Sequence, residues 1–218
     1  VYNPLSTEFV LNAKKQGAKA CGGLYMLVAQ AVFACEKFLD KNFENKTIDN
    51  VYKEILSLKQ NIVLIGMPSS GKTTVGKSLA ESLNRKFYDT DVLIEEKTGL
   101  HPSVIIKEQG EEAFRNIESE VIAQVSTVSG AVIATGGGAV LREENRNNLS
   151  KNGAVWFLDR PLSNLIATSD RPLSSDKEML QKRYEERYPI YTSAADFTVS
   201  GEKSVEEICI VIKKEMNL

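Results

Sequence analysis

The sequence predicts an α/β protein built on a parallel sheet, and three observations carry that reading. Short apolar, β-branched runs recur after residue 58: NIVLIG, AVIAT, AVWFLD. Segments with helical spacing, such as GKTTVGKSLAESL, alternate with them. Glycines close several of the runs where a strand would hand over to a helix. Strands buried on both faces read as continuous apolar stretches, and parallel neighbours need a crossover between them.

Residues 1–58 read differently from residues 59–218, so two units are expected with a boundary near residue 58. Asn3-Pro4 followed by Ser6 and Thr7 predicts a turn into a helix capped by Ser6 or Thr7. GAKACGG, with glycines at both ends, is read as a short strand. LYMLVAQAVFACEKFLDK repeats Leu24, Leu27, Val28, Val32, Cys35 and Leu39 at three- and four-residue spacings, which predicts a helix. Residues 42–50 are polar and predict a linker, and residues 52–58 predict one more short helix. Beyond that point NIVLIG predicts the first strand, GKTTVGKSLAESL the helix after it, and RKFYDTD a second strand. A polar helix is expected over about residues 111–128, strands in AVIATGGG, AVWFLD and DFTVSG, and a last helix over about residues 204–214.

Composition narrows the function classes. The 218 residues suffice for one large domain, or for one of typical size with a small appendage. Hydrophobic residues at 42% and charged residues at 26% are globular rather than disordered proportions. Lys+Arg 27 against Asp+Glu 29 leaves a formal charge of −2, without the broad positive field that nucleic-acid binders use. The three cysteines (Cys21, Cys35, Cys209) are odd in number and contain no CxxC pair. They fit small packing residues in a reducing compartment better than a disulfide framework or zinc site. A single histidine, His101, argues against His-based metal sites and hydrolytic triads; beside Pro102 it reads as a helix-entry residue. No apolar run reaches the roughly 18 residues of a membrane helix, and no basic-then-apolar leader opens the chain. A cytoplasmic protein without nucleic-acid or membrane partners is expected, with Trp156 in its core.

The strongest motif is Gly66-Met-Pro-Ser-Ser-Gly71-Lys72-Thr73, which fits GxxxxGK[ST] between a predicted strand and a predicted helix. Glycines let successive backbone N–H groups turn inward toward phosphate oxygens, and the helix N-terminus adds partial positive charge. Lys72 is placed to reach the β and γ phosphates, and the Thr73 hydroxyl to ligate Mg²⁺. The motif specifies a nucleoside triphosphate but not a reaction. The only Asn-Lys pair, Asn45-Lys46, precedes the loop and is no GTPase base-reading motif. A unit of about 160 residues suits a small-metabolite or nucleotide kinase.

Asp89 and Asp91 stand two apart at the expected C-terminal end of a strand, the edge where ligands bind in open α/β sheets. One carboxylate suits a hydrated divalent cation and the other a hydroxyl that must become a nucleophile. Taken alone, the pair is as readily an ordinary helix cap. Arg115, with Phe114 as an anchor and Glu118 one turn on, Arg187 before Pro189 and Tyr191, and Arg171 in TSDRPLSSD are candidate anion clamps. Each by itself is more readily read as a solvated surface charge. Gly136-Gly137-Gly138 at a strand end lets backbone approach a ligand closely.

Taken in order, GMPSSGKTT, FYDTDVLIEEKTG, GEEAFRNIESE, IATGGGAV, DRPL and ERYPIY resemble shikimate kinase over residues 59–218. The resemblance implies a phosphate-loop kinase fold: a five-stranded parallel sheet of order 2-3-1-4-5, helices on both faces, and a lid. It implies that ATP is held by Ser69, Ser70, Gly71, Lys72, Thr73 and Thr74, and Mg²⁺ by Thr73 and, through water, Asp89. Asp91 would orient or deprotonate the shikimate 3-hydroxyl. Arg115 and Arg187 would grip the carboxylate, Gly137 and Gly138 would line the substrate, and Arg171 from the lid would meet the transferring phosphate. Lys72, Asp91 and Arg171 are thereby the expected catalytic set, in a monomeric kinase unit acting on ATP and shikimate. The lid departs from the family in having no basic residue between Arg160 and Arg171 and in reading RPLS, so weaker adenine contacts or lid closure are expected.

The stretch VYNPLSTEFVLNAKKQGAKACGGLYMLVAQAVFACEKF resembles the C-terminal end of shikimate dehydrogenase, in which Gln30 would stand near shikimate. That family's catalytic Lys and Asp have no counterpart here, and no GxGxxG occurs, so no dehydrogenase activity is expected. A mainly helical appendage, from a fused dehydrogenase–kinase polypeptide or a truncated reading frame, is the expectation. Two other functions stay open at the level of residues: a kinase for another polyol acid such as gluconate, and a non-catalytic nucleotide-binding module.

Overall fold

The computed structural model describes residues 2–44, 46–165 and 177–218. Five strands form one parallel sheet: β1 (Asn61–Ile65), β2 (Phe87–Asp89), β3 (Val132–Ala134), β4 (Gly153–Asp159) and β5 (Phe197–Ser200). Their order is β2-β3-β1-β4-β5, as the family resemblance implies. β1 lies at the centre, pairing Ile62 with Val132 on one side and with Ala154 on the other.

Alternation along β1 explains the two core layers, because successive side chains of a strand point to opposite faces. Ile62 and Leu64 pack with Trp156 and with Val75 and Leu79 of α4 (Lys72–Ser82) and Ile208 and Ile212 of α10 (Val205–Glu215). Val63 and Ile65 pack on the opposite face, with Ile122 of α7 (Glu111–Val125), Leu149 of α8 (Glu143–Asn152) and Tyr191 of α9 (Lys177–Ala194). Helices therefore cover both faces. Trp156 is fully buried and stacks on Phe197 with ring centroids 4.6 Å apart. Ser204 caps α10 in a reciprocal capping box with Glu207.

Two short helices stand beside α7. α5 (Thr90–Thr98) is capped by Asp89, and α6 (Pro102–Gln109) is capped by His101, whose ring accepts from Ser103 N. Ile94, Ile105, Phe114 and Val121 form a separate small core between these three helices.

The N-terminal residues form α1 (Glu8–Lys15), α2 (Leu24–Leu39) and α3 (Lys46–Lys59). Thr7 caps α1, as predicted. α1 sits against α8, where Ser6 N donates to Lys151 O at 2.8 Å and Lys15 pairs with Glu143 at 2.9 Å. Several expectations are corrected here. GAKACGG is irregular, not a strand. The linker expected over residues 42–50 gives way at Lys46 to α3, because Ile48, Val51, Tyr52, Ile55 and Leu56 make a helical stripe that packs on α2. On α2 only the four-residue row Leu24, Val28 and Val32 is buried, whereas Leu27, Cys35 and Leu39 are exposed. Cys21 is exposed as well, so only Cys209 serves as a packing residue. No helix among the described residues is long and apolar enough to cross a membrane.

Candidate active site

The site is assembled at the C-terminal edge of the sheet, from the loops that leave β1, β2 and β3. The loop after β1 owes its shape to backbone that ordinary residues resist: Gly66 at φ 149, Ser69 at φ 63 and Gly71 at φ 95. A Cβ on Gly66 would lie 2.8 Å from Leu158 O, so glycine is required there by space as well as by φ. Ser70 and Lys72 are buried. The Lys72 ammonium folds back over the loop, donating to Gly66 O at 2.9 Å, Met67 O at 2.7 Å and Ser70 Oγ at 3.3 Å. Thr74 is exposed, one residue into the helix from Thr73.

Asp89 ends β2 and joins this loop, because Thr73 Oγ1 donates to its Oδ2 at 2.7 Å. Its other oxygen caps α5, accepting from Asp91 N at 3.0 Å. The two carboxylates are thus brought together by a strand-to-helix cap and not by strand alternation: Asp91 lies in the first turn of α5, not on β2. Asp89 is therefore a helix cap, and the same carboxylate touches the phosphate loop through Thr73. Thr90 ties this corner to the next loop by accepting from Gly136 N at 2.9 Å.

The three glycines after β3 are required by close approach rather than by unusual φ. A Cβ on Gly136 would lie 2.7 Å from Asp91 Oδ1, and one on Gly137 would lie 2.7 Å from Pro68 Cδ. One on Gly138 would run into the Arg115 guanidinium. The Gly137 carbonyl accepts from Arg187 Nη1 at 3.2 Å and from the Tyr191 hydroxyl.

Arg115, on α7, is 7% exposed and is held between two carboxylates: Glu118 at 2.7 Å and Glu111 at 2.9 Å. Burial pulls its guanidinium down, but Glu118 and Glu111 more than offset this and leave it above its ordinary value. Burial pushes the Glu118 carboxyl above the usual range and the Asp91 charge adds to this, against the pull of Arg115 and Arg187. The Tyr191 phenol is pushed up to about 12, chiefly by burial, with Arg187 opposing.

Asp89, Asp91, Arg115, Gly137, Gly138 and Arg187 all line one cavity of about 230 Å³, with Pro68 of the phosphate loop at its wall. Thr73 is linked to it through Asp89. Arg171 lies outside the described residues, as does the lid expected around it. Gln30 is exposed on α2 and is not among the cavity-lining residues. Sequence reasoning missed Glu111, Thr90 and Arg183. Glu111 and Arg183 carried a legible signal, each standing four residues before a predicted site arginine.

A sequence model of the family described as shikimate kinase matches residues 68–217. A shikimate kinase of Clostridium botulinum (strain Eklund 17B / Type B) is 43% identical over 161 residues, covering 72% of this chain and 97% of the relative. One of Vibrio parahaemolyticus is 40% identical over 148 residues, covering 65% of this chain and 86% of the relative. Among solved structures, the shikimate kinase of Acinetobacter baumannii in complex with shikimate superposes with a TM-score of 0.70 at 30% identity, covering 76% of this chain and 97% of its own. That of Aquifex aeolicus gives 0.64 at 38% identity, covering 72% and 98%. With two-thirds of the chain matched by the family's own pattern and relatives about 40% identical, this chain belongs to the shikimate kinase family.

Proposed function

We propose that this shikimate kinase transfers the γ-phosphoryl group of ATP to the 3-hydroxyl of shikimate in the cavity between the phosphate loop and α7, with the following division of labour. The reading is supported above all by one observation: Asp91, Arg115 and Arg187 line the same cavity, against a wall made by the phosphate loop.

The loop residues Ser69, Ser70, Gly71, Lys72, Thr73 and Thr74 hold the ATP phosphates through backbone N–H groups, the Lys72 ammonium and hydroxyls. Thr73 and Asp89 fit a magnesium ion: a hydroxyl and a carboxylate already in contact are hard oxygen donors, few enough to leave room for waters and phosphate oxygens. When bound, Mg²⁺ neutralises charge on the phosphate oxygens. Arg115 and Arg187 bind the shikimate carboxylate, and Gly137 and Gly138 lie against the ring. Asp91 orients the 3-hydroxyl and accepts its proton as the O–P bond forms and the bond to the β-phosphate oxygen breaks. The transition state is loose, so positioning and charge carry most of the acceleration. Lys72 supplies positive charge from the loop, and Arg171, outside the described residues, is proposed to supply more.

Residues 1–58 are proposed as a separate helical unit beside a kinase unit of residues 59–218, without dehydrogenase activity. No shikimate-dependent NADP reduction is expected of the chain. The kinase reading is tested by ADP release with a panel of acceptors. Shikimate is expected to stimulate release strongly and gluconate weakly. Equal stimulation by gluconate would remove the substrate assignment, and ATP binding without acceptor-stimulated release would favour a non-catalytic module.

A further inference from the structure

Arg183 lies one turn before Arg187 on α9, so the two guanidiniums stand on one face of the helix, and both line the cavity that holds Arg115. The three arginines are differently committed. Arg115 is bracketed by Glu118 and Glu111, so two carboxylates stand against its single charge. Arg187 donates to a neutral carbonyl, Gly137 O. Among the described residues Arg183 Nη1 is buried with no hydrogen-bond partner, while its Nη2 has the soft Sδ of Met179 at 3.6 Å. A buried charged donor is costly to leave unpaired, and an entering anion offsets that cost. Burial, then the Arg187 charge, push the Arg183 guanidinium below its ordinary value, against Glu111 and Glu186.

Arg183 adds a third guanidinium, beside Arg115 and Arg187, to a cavity whose lining also includes the carboxylates Asp89, Asp91 and Glu118, and its buried Nη1 is placed to take a substrate carboxylate. Guanidinium suits this task because it offers several donors in a plane and does not deprotonate.

We propose that Arg183 is a third carboxylate-binding residue, one that sets the preference of this site for an anionic over a neutral cyclic polyol. The proposal rests on the reading of the cavity as the shikimate site. The charges of Arg187, Glu111 and Glu186 act on Arg183. Its effect is expected to fall on ground-state binding of the carboxylate.

The test uses the full chain with Arg183→Met, which keeps an unbranched stem and removes the charge, and Arg183→Gln as a second neutral variant should the first not fold. Steady-state ADP release is measured against shikimate and ATP, and binding of shikimate methyl ester by calorimetry. The KM for shikimate is expected to rise by about 10- to 100-fold, the scale of one charged hydrogen bond, with kcat changing by less than about threefold and the KM for ATP unchanged. Affinity for the neutral ester is expected to stay at the wild-type value, and Arg183→Lys is expected to recover part of the loss. A wild-type KM for shikimate in the neutral variants, or equal losses for shikimate and its ester, would overturn the proposal. The reading beneath it fails differently: wild-type protein would then show no shikimate-stimulated ADP release at all.

Discussion

One added carbon at Gly138 tests the Arg115 clamp without changing any charge. Gly138 has φ −100 and ψ −4, a conformation open to any residue, so Gly138→Ala brings no backbone strain. The new Cβ would nevertheless be driven against Nη1, Nη2 and Cζ of Arg115. A guanidinium ends a flexible stem and can move, so the fold adjusts at small cost. The aim of the arginine does not survive, because Glu118 at 2.7 Å and Glu111 at 2.9 Å fix where it points. A hydrogen bond to a charged group is worth about 1.5–3 kcal/mol, which corresponds to about a 10- to 150-fold change in affinity. The KM for shikimate is therefore expected to rise by about that factor in a coupled ADP-release assay, with the KM for ATP held near wild type. Gly99→Ala is the control: its Cβ meets nothing within 4 Å, but its φ of +71 is unfavourable to alanine. It is expected to lose about 1–2 kcal/mol of stability and to keep its KM. A Gly138→Ala protein that binds shikimate with wild-type KM would refute the clamp.

Asp91→Asn keeps the shape of the side chain and removes the proton acceptor. Turnover is expected to fall by about 10²- to 10⁴-fold while calorimetric ATP affinity stays near normal, and wild-type turnover would rule out the role given to Asp91. Thr73→Ala removes the hydroxyl that contacts Asp89, so the magnesium concentration for half-maximal rate is expected to rise by about 10-fold or more with the KM for shikimate unchanged. Tyr191 gives a prediction in pH. Its folded-state value, pushed up to about 12, lies above the unfolded value of 10.0, so its stabilisation is complete below pH 10 and is lost as pH rises toward 12. The stability advantage of wild type over Tyr191→Phe, read by denaturant melts, is expected to shrink across that window by an amount on the order of 2–3 kcal/mol. A constant difference across it would contradict the buried, protonated phenol.

Much of this architecture could be read from the residues because local and global signals agree there. NIVLIG and AVWFLD are continuous apolar runs, and as β1 and β4 they are buried on both faces, Asp159 alone being partly open. The phosphate loop was legible because its glycines answer a backbone requirement that the sequence must meet, seen in the positive φ of Gly66 and Gly71. Misreadings arose where tertiary contact overrides local pattern. The polar residues 42–50 suggested a linker, yet α3 begins at Lys46 because its apolar stripe pairs with α2 across the chain. Asp89 and Asp91 read as two residues of one strand pleat, whereas a helix cap sets their pairing. The glycine triplet reads as a place where backbone approaches a ligand, whereas what stands close to it among the described residues is Pro68, Asp91 and Arg115, from three distant segments. Arg183 stands four residues before Arg187, yet that spacing alone does not separate it from surface charge; the cavity beside it does.

The most direct test is a crystal structure of the chain with shikimate, Mg²⁺ and a non-hydrolysable ATP analogue. The expected result places the shikimate carboxylate against Arg115, Arg187 and Arg183. Its 3-hydroxyl should lie within hydrogen-bonding distance of Asp91 and in line with the terminal phosphate over Lys72. Shikimate bound in another cavity, or with its 3-hydroxyl turned away from that phosphate, would contradict the account.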